Sequence, residues 1–135
     1  MAYRVTKDVY VVDAEYLVAA STTINAGEIV CLNAGYAVPG SSTTGLVAKG
    51  IAKTTVDNSA GANGAKKVVV QTSYTPTGRR AFKVVNSGTG SATQANVGST
   101  CYVFDANSIT MTSTGRSEAG EIFRFESDGV WVFFK

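Results

Sequence analysis

The sequence contains no histidine, which removes the side chain that most often acts as a general base near neutral pH. Charged residues are also scarce, at 16% of the chain, so Ser, Thr, Asn and Gly must form much of the surface. Such a surface suits a protein that lies against another protein, although an ordinary β-sandwich would have the same composition.

Other catalytic patterns are missing as well. No serine lies in a Gly-x-Ser-x-Gly or Ser-x-x-Lys pattern, and no glycine-rich loop carries Gly-Lys-Ser/Thr. The ten acidic residues are dispersed along the chain. The sequence therefore predicts no catalytic residues, no cofactor and no enzyme. A hydrolase that uses two distant carboxylates is the remaining catalytic alternative, because strands can bring distant acids together.

The two cysteines, Cys31 and Cys101, each lie in an apolar run. A free cysteine behaves as a small hydrophobic residue, so both are predicted to be buried thiols, with a single disulfide as the alternative. Without a Cys-x-x-Cys pattern or any histidine, no metal site is predicted.

The charge pattern argues against nucleic acid and membrane partners. The net charge is +2, and the basic pairs Lys66-Lys67 and Arg79-Arg80 are short and isolated, which is typical of solvated turns. No apolar run is long enough to span a membrane, and no apolar signal region follows the polar start. We expect a soluble protein made in the cytoplasm.

The ordered runs indicate an all-β fold. Val, Ile, Thr, Tyr and Phe dominate them, and 14 glycines separate them at short intervals. The predicted architecture is a small antiparallel β-barrel or β-sandwich over residues 21–135, preceded by an extended N-terminal arm over residues 1–20. Residues 13–20 are ambiguous, since some apolar residues there have helical spacing. One short helical turn is predicted at Thr93–Gly98.

Turn residues mark the strand boundaries. Asn33-Ala34-Gly35 predicts a hairpin turn, and Asp128-Gly129 between two apolar runs predicts a final hairpin. Gly50 interrupts an apolar strand and suggests a β-bulge. Residues 57–64 contain no large apolar side chain and are predicted to form a mobile surface loop.

The last strand is apolar on both faces. Alternation places Trp131 and Phe133 on one face and Phe134 with two valines on the other. One face can form the core and the other a subunit interface, so Trp131, Phe133 and Phe134 are the predicted interface residues. The alternative is a strand in the middle of a sandwich.

Several motifs resemble a known family. They are Gly98-x-x-Cys-Tyr-Val-Phe-Asp-Ala-Asn-Ser-Ile, Ser117-Glu-Ala-Gly-Glu-Ile, Asp128-Gly-Val-Trp-Val and, earlier, Ile24-x-Ala-Gly-Glu-Ile-Val with Gly50-Ile-Ala downstream. In this order and spacing they are similar to capsid decoration (cement) proteins of tailed phages, over residues 24–134. The resemblance implies a β-rich homotrimer on the virion exterior. It would bind the major capsid protein near local three-fold axes and stabilise contacts between capsid subunits.

The N-terminal arm is the predicted capsid contact. An arm can add a strand to the sheet edge of a neighbour, and this assigns capsid contact to Tyr3, Arg4, Val5, Lys7, Val9 and Tyr10. A glycan-binding module associated with a head fibre or tail is the alternative function. Exposed aromatic residues in a groove would favour that alternative.

Overall fold

The computed structural model describes residues 13–135, and these residues form short strands with one turn of 3-10 helix. The all-β prediction is confirmed. The strands are β1 (Asp13–Leu17), β2 (Thr22–Ile24), β3 (Ile29–Asn33), β4 (Tyr36–Pro39), β5 (Val47–Ala52), β6 (Val56–Asn58), β7 (Lys67–Gln71), β8 (Tyr74–Thr75), β9 (Gly78–Arg79), β10 (Phe82–Asn86), β11 (Thr100–Val103), β12 (Ser108–Thr110), β13 (Glu118–Glu126) and β14 (Gly129–Phe134). The 3-10 helix spans Gln94–Asn96, within the predicted helical turn.

The N-terminal half is a curled five-stranded sheet. Its strand order is β1-β7-β5-β3-β4, and all neighbours are antiparallel. The two edges of the sheet approach each other, since Val18 forms a parallel bridge with Ala37 of β4. Because successive side chains point to opposite faces, alternate residues line the inside of the curl. This first core consists of Val18, Ile24, Val30, Ala37, Ala52, Val68 and Val70.

The C-terminal half is a closed barrel of five strands in the order β10-β12-β11-β13-β14. The pair β10–β12 is parallel and the other pairs are antiparallel. Closure gives each strand two neighbours, so the barrel has no free sheet edge. The inward-facing residues of the barrel are Val84, Cys101, Val103, Ile109, Ala119, Ile122, Val130, Val132 and Phe134.

The outer face of the curled sheet packs onto the barrel. Ile29, Cys31, Ala48 and Ile51 point away from the first core and join the barrel residues in one cluster. Polar contacts cross the same junction, because the Ser117 hydroxyl donates to the Thr43 carbonyl at 2.6 Å. The central strands β3 and β5 are therefore buried on both faces, which explains their nearly continuous apolar sequences.

Two predicted turn features are confirmed. The β3–β4 hairpin turns at Ala34 and Gly35, which have φ values of 50° and 87° and so adopt the left-handed conformation of a tight hairpin. A register shift between β3 and β5 at Val30 and Cys31 leaves Lys49 as an extra residue and forms the bulge beside Gly50. Gly50 is required there, because a Cβ would lie 2.1 Å from the Gln71 carbonyl oxygen.

Residues 13–20 differ from the prediction. Asp13–Leu17 is a strand paired along its length with β7, so the ambiguous stretch is extended rather than helical. Tyr16 and Val18 point into the first core while Glu15 and Leu17 are exposed, and that alternation has the period of a strand. The described part of the predicted arm, residues 13–20, thus belongs to the β domain.

Residues 57–64 agree with the prediction of a surface loop only in part, because residues 59–64 form mostly exposed turns and bends while residues 57 and 58 belong to a strand. Residues 56–58 form β6, paired with β2, and Asn58 is buried. Its amide Nδ2 donates to the carbonyl oxygens of Ala19 and Ala62, at 2.9 and 3.1 Å. Buried side-chain hydrogen bonds to the backbone hold this segment in place, although it has no large apolar residue.

Candidate interaction site

The predicted site residues fall in two regions of the chain. The capsid-contact residues Tyr3, Arg4, Val5, Lys7, Val9 and Tyr10 lie outside the described residues. The predicted interface residues lie on β14, which crosses the barrel wall between β13 and β10.

The prediction that Phe134 belongs to an interface is wrong. Its side chain is 3% exposed and points into the barrel, where its ring centroid lies 6.2 Å from that of Phe82. Its backbone N–H donates to the Ser73 hydroxyl at 2.7 Å. Alternation along the strand sends Phe134 inward with Val130 and Val132, so it contributes to the core rather than to the surface of the chain.

Trp131 and Phe133 occupy the outer face of the same strand, as alternation predicts, and both are half-buried. Phe123 of β13 lies beside them and is 50% exposed. Its ring centroid is 5.0 Å from that of Phe133, with an interplanar angle of 51°. We call Phe123, Trp131 and Phe133 the outer aromatic patch.

A bulge in β13 gives Phe123 its position. The β13–β14 register shifts between Ile122 and Arg124, so Phe123 is an extra residue on the long strand. Ile122 is fully buried, whereas Phe123 and Arg124 both face outward. Sequence alternation alone could not find this residue, because a bulge changes the period of two locally.

Arg79 covers the patch from the side. Its guanidinium carbon lies 4.0 Å from the centre of the Phe133 ring, a cation–π contact, and 3.9 Å separates its nitrogen from a Glu121 carboxylate oxygen. The next residue, Arg80, donates to the Thr72 carbonyl and to Asp13 at 2.8 and 3.1 Å. The prediction of a solvated turn therefore holds for Arg79, which is exposed on the β8–β9 hairpin, but is wrong for Arg80, which is partly buried by these contacts.

A cluster of charged side chains borders the outer aromatic patch near the β13–β14 turn. Lys83 contacts Asp128 at 2.7 Å, and the Trp131 indole N–H donates to Glu126. The hydrogen bond from Trp131 holds the pKa of Glu126 below its usual range, and Lys83 does the same for Asp128. Asp128 in turn raises the pKa of Lys83. These groups fix the orientation of Trp131 at the rim of the patch.

An open groove of about 470 Å³ lies next to the patch. Its walls are the short β8–β9 hairpin, the first half of β5 and the ends of β13 and β14. The lining includes Tyr74, Arg79, Lys49, Glu118, Glu121 and Phe133. Tyr74 is 50% exposed and pairs across the hairpin with Arg79, so the groove has an aromatic wall beside several charged side chains.

The acids in this groove are not arranged as a general acid and base. Glu118 and Glu121 are half exposed, and each contacts a cation, Lys135 at 2.7 Å and Arg79 at 3.9 Å. A catalytic carboxylic acid is generally held in an apolar pocket that keeps it protonated. Over residues 13–135, no group of three or more His, Cys, Asp or Glu side chains could hold a metal ion.

The two cysteines are free and fully buried in the shared core, which confirms the prediction of buried thiols. Burial raises the pKa of both Cys31 and Cys101 to about 12. A thiol that stays protonated is a poor nucleophile, so neither cysteine is a candidate reactive group. None of the helices in the described part of the chain has the length and apolarity needed to cross a membrane.

No protein-family model, curated protein or solved structure matches this chain.

Proposed function

We propose that this protein is a phage capsid decoration protein, a non-enzymatic component of the virion that binds the outer surface of the head. The observation that carries the proposal is the outer aromatic patch, in which Phe123, Trp131 and Phe133 face outward from a barrel whose core is already complete. Aromatic side chains beside an arginine are the composition of protein–protein contacts.

The architecture supports a passive, mechanical role. The barrel has no free edge, and the curled sheet is joined to it through a shared core. Such a unit can transmit force between neighbours, because the sheet and the barrel bury apolar side chains in one common cluster. Many identical copies on one shell would also reinforce one another, so no single contact needs to be strong.

The proposed assembly is a homotrimer in which the outer aromatic patch contributes to the contact between subunits. Trp131 and Phe133 stay in this role from the sequence prediction, Phe123 and Arg79 are added to it, and Phe134 is removed. The N-terminal residues Tyr3, Arg4, Val5, Lys7, Val9 and Tyr10 stay the proposed contact with the major capsid protein, on the sequence argument alone.

Cryo-electron microscopy of the purified protein mixed with undecorated phage heads tests the proposal. We expect density on the outside of the shell at local three-fold positions. Density inside the head, density only at the tail, or no density at saturating protein would contradict the proposal. Bare heads provide the control.

Deletion of residues 2–10 tests the arm. We expect the shortened protein to lose binding to heads while its circular dichroism and thermal unfolding stay unchanged, because strand β1 begins at Asp13 and keeps its pairing with β7. The measurement is co-sedimentation with heads. Full binding by the folded, shortened protein would show that the arm is not the capsid contact.

The alternative function, a glycan-binding module of a head fibre or tail, is favoured by one observation. The groove beside the patch has the exposed aromatic wall that such a site needs. Binding to heads and binding to glycans are separate measurements, so the two functions can be told apart.

A further inference from the structure

We infer that the groove between the β8–β9 hairpin, β5 and the ends of β13 and β14 binds a neutral carbohydrate. This inference does not rest on the capsid proposal. It names the site and the ligand class for the alternative function, and the two can succeed or fail separately.

The size and shape of the groove suit a short oligosaccharide. Its volume of about 470 Å³ lies within the usual range for small-ligand sites, and a second hollow of about 250 Å³ shares Val47, Glu118 and Lys135 with it. The shared residues make the two hollows neighbours at the start of β5. A chain of sugar rings is longer than one pocket, and two neighbouring hollows can bind successive rings.

The aromatic wall supplies a stacking surface. Tyr74 lines the groove and leaves half of its surface exposed, although burial of so large a ring would otherwise be favourable. Phe133 also lines the groove, but Arg79 already covers one face of its ring. The C–H face of a pyranose packs on an exposed aromatic ring while its hydroxyl groups stay free for hydrogen bonds. Tyr74 is the residue placed for that contact.

The polar side chains around Tyr74 match a ligand with many hydroxyl groups. Glu118 and Glu121 can each accept two hydrogen bonds, whereas Lys49 and Arg79 donate. The ion pair between Arg79 and Glu121 is long, at 3.9 Å, so both groups keep hydrogen-bonding capacity for a ligand. Lys49 has no ion-pair partner among residues 13–135.

The charge balance selects the ligand class. The groove contains three cations, Lys49, Arg79 and Lys135, and two anions, Glu118 and Glu121. The near balance of charge opposes a polyphosphate or nucleic acid, which requires an excess of cations. A protein segment that fills the groove itself is also disfavoured, because five charged side chains line the groove and the centres of protein interfaces are depleted of charged residues. A neutral ligand with many hydroxyl groups can accept hydrogen bonds from the cationic side chains and donate hydrogen bonds to the carboxylates.

Nuclear magnetic resonance titration of the full chain tests the inference. The probes are three neutral hexasaccharides, maltohexaose, cellohexaose and chitohexaose, with hexagalacturonate as the acidic comparison. We expect at least one neutral probe to shift the amide signals of Tyr74, Lys49 and Glu121. The change Tyr74→Ala should weaken its affinity about tenfold or more through loss of the stacking surface.

Leu17→Ala is the matched control, because Leu17 is exposed to a similar extent as Tyr74, at 42% against 50%, but does not line the groove and lies outside the outer aromatic patch. It should leave the affinity unchanged. Glu121→Ala is a second groove variant, for the case that Tyr74→Ala disturbs the short hairpin, and it should weaken binding severalfold.

Three results would overturn the inference. One is the absence of shifts with all three neutral probes up to about 10 mM, well above the dissociation constants of weak specific sites. The second is binding of hexagalacturonate alone. The third is neutral binding that survives both groove variants in folded protein. Binding of the Tyr74→Ala variant to phage heads is measured in parallel. Whether head binding persists or is lost tests the capsid proposal and not the carbohydrate site.

Discussion

At the scale of single residues, Asn58 shows how a polar side chain can organise a segment that has no apolar anchor. Its Nδ2 donates to carbonyl groups on both sides, at Ala19 and Ala62. Its Oδ1 has no hydrogen-bond partner among residues 13–135 and lies against Gly61, where a Cβ would be only 1.9 Å away. Gly61 is thus required for space, and the pair explains why a stretch of small residues is ordered.

The change Asn58→Leu should lower the free energy of unfolding by about 1–3 kcal/mol, because the carbonyl groups it serves lose their donor. Urea denaturation followed by circular dichroism measures the effect. Gln94→Ala is the control, since Gln94 is an exposed amide on the 3-10 helix, and it should change the free energy by less than about 0.5 kcal/mol. Equal stability of the Asn58 variant and wild type would contradict this account.

Asp57 connects stability to pH. Hydrogen bonds from Ser59, and a further one from Thr23, lower its pKa to about 2. A carboxyl whose pKa is lower in the folded state stabilises the fold above its unfolded pKa, and that contribution is lost as the pH falls through the folded pKa. The loss therefore occurs between about pH 5 and pH 2.

We expect the unfolding free energy of Asp57→Asn to fall less than that of wild type between pH 5 and pH 2, since the titrating group is gone. Thermal or urea unfolding at several pH values measures the two slopes. Glu15→Gln, a change at an exposed carboxyl of β1 with no ion pair among residues 13–135, should keep the wild-type slope. Identical slopes for Asp57→Asn and wild type would refute the prediction.

At the scale of strands, the final hairpin follows clearly from the sequence. In the structure its first strand is longer than the apolar run. Asp128-Gly129 places the turn correctly, and β13 begins at Glu118, before the apolar pair Ile122-Phe123. The bulge at Phe123 was not predictable, because it depends on how two long strands adjust their twist. The outward aromatic patch depends on that bulge.

Gly120 is the tightest point between β13 and β14. A Cβ there would lie 1.9 Å from the Phe133 carbonyl oxygen and 3.0 Å from the Phe134 Cα, and neither backbone atom can rotate away. Gly120→Ala should therefore destabilise the protein by about 1–3 kcal/mol through overpacking. Urea denaturation measures it.

Gly88→Ala is the matched control for Gly120→Ala. A Cβ at Gly88 would meet nothing within 4 Å, so this change should be neutral or slightly stabilising. If the two alanine variants unfold at the same urea concentration, the close approach of β13 and β14 does not limit stability.

At the scale of the whole molecule, two β units share one core and leave one face with exposed aromatic side chains. The core cluster joins Ile29 and Ala48 of the sheet to the barrel, so the halves stabilise each other. The outer aromatic patch lies on the outside of the barrel, and over residues 13–135 its side chains make a cation–π contact with Arg79 and a hydrogen bond with Glu126. A contact between copies of the chain would cover it.

The change Phe123→Asp should lower the apparent oligomer mass toward that of a monomer, because it places a charge in the proposed subunit contact. Light scattering coupled to gel filtration gives the mass. Leu17→Asp is the control, since Leu17 is 42% exposed on β1 of the curled sheet, and it should not change the mass. If the wild-type protein stays monomeric at high concentration, trimers form only on the capsid surface.

The sequence by itself determined the all-β class, the hairpin turns, the bulge at Gly50 and the two buried thiols, because each follows from local alternation, glycine conformation or the apolarity of a short run. Only the tertiary structure decided that Phe134 is core, that Asp13–Leu17 is a strand, and that Phe123, Arg79 and Tyr74 meet around Phe133. Those outcomes depend on pairing between residues far apart in the chain and on a bulge in a long strand. Alternation shows which residues share a face of a strand but not which face is buried, and a bulge interrupts the period of two.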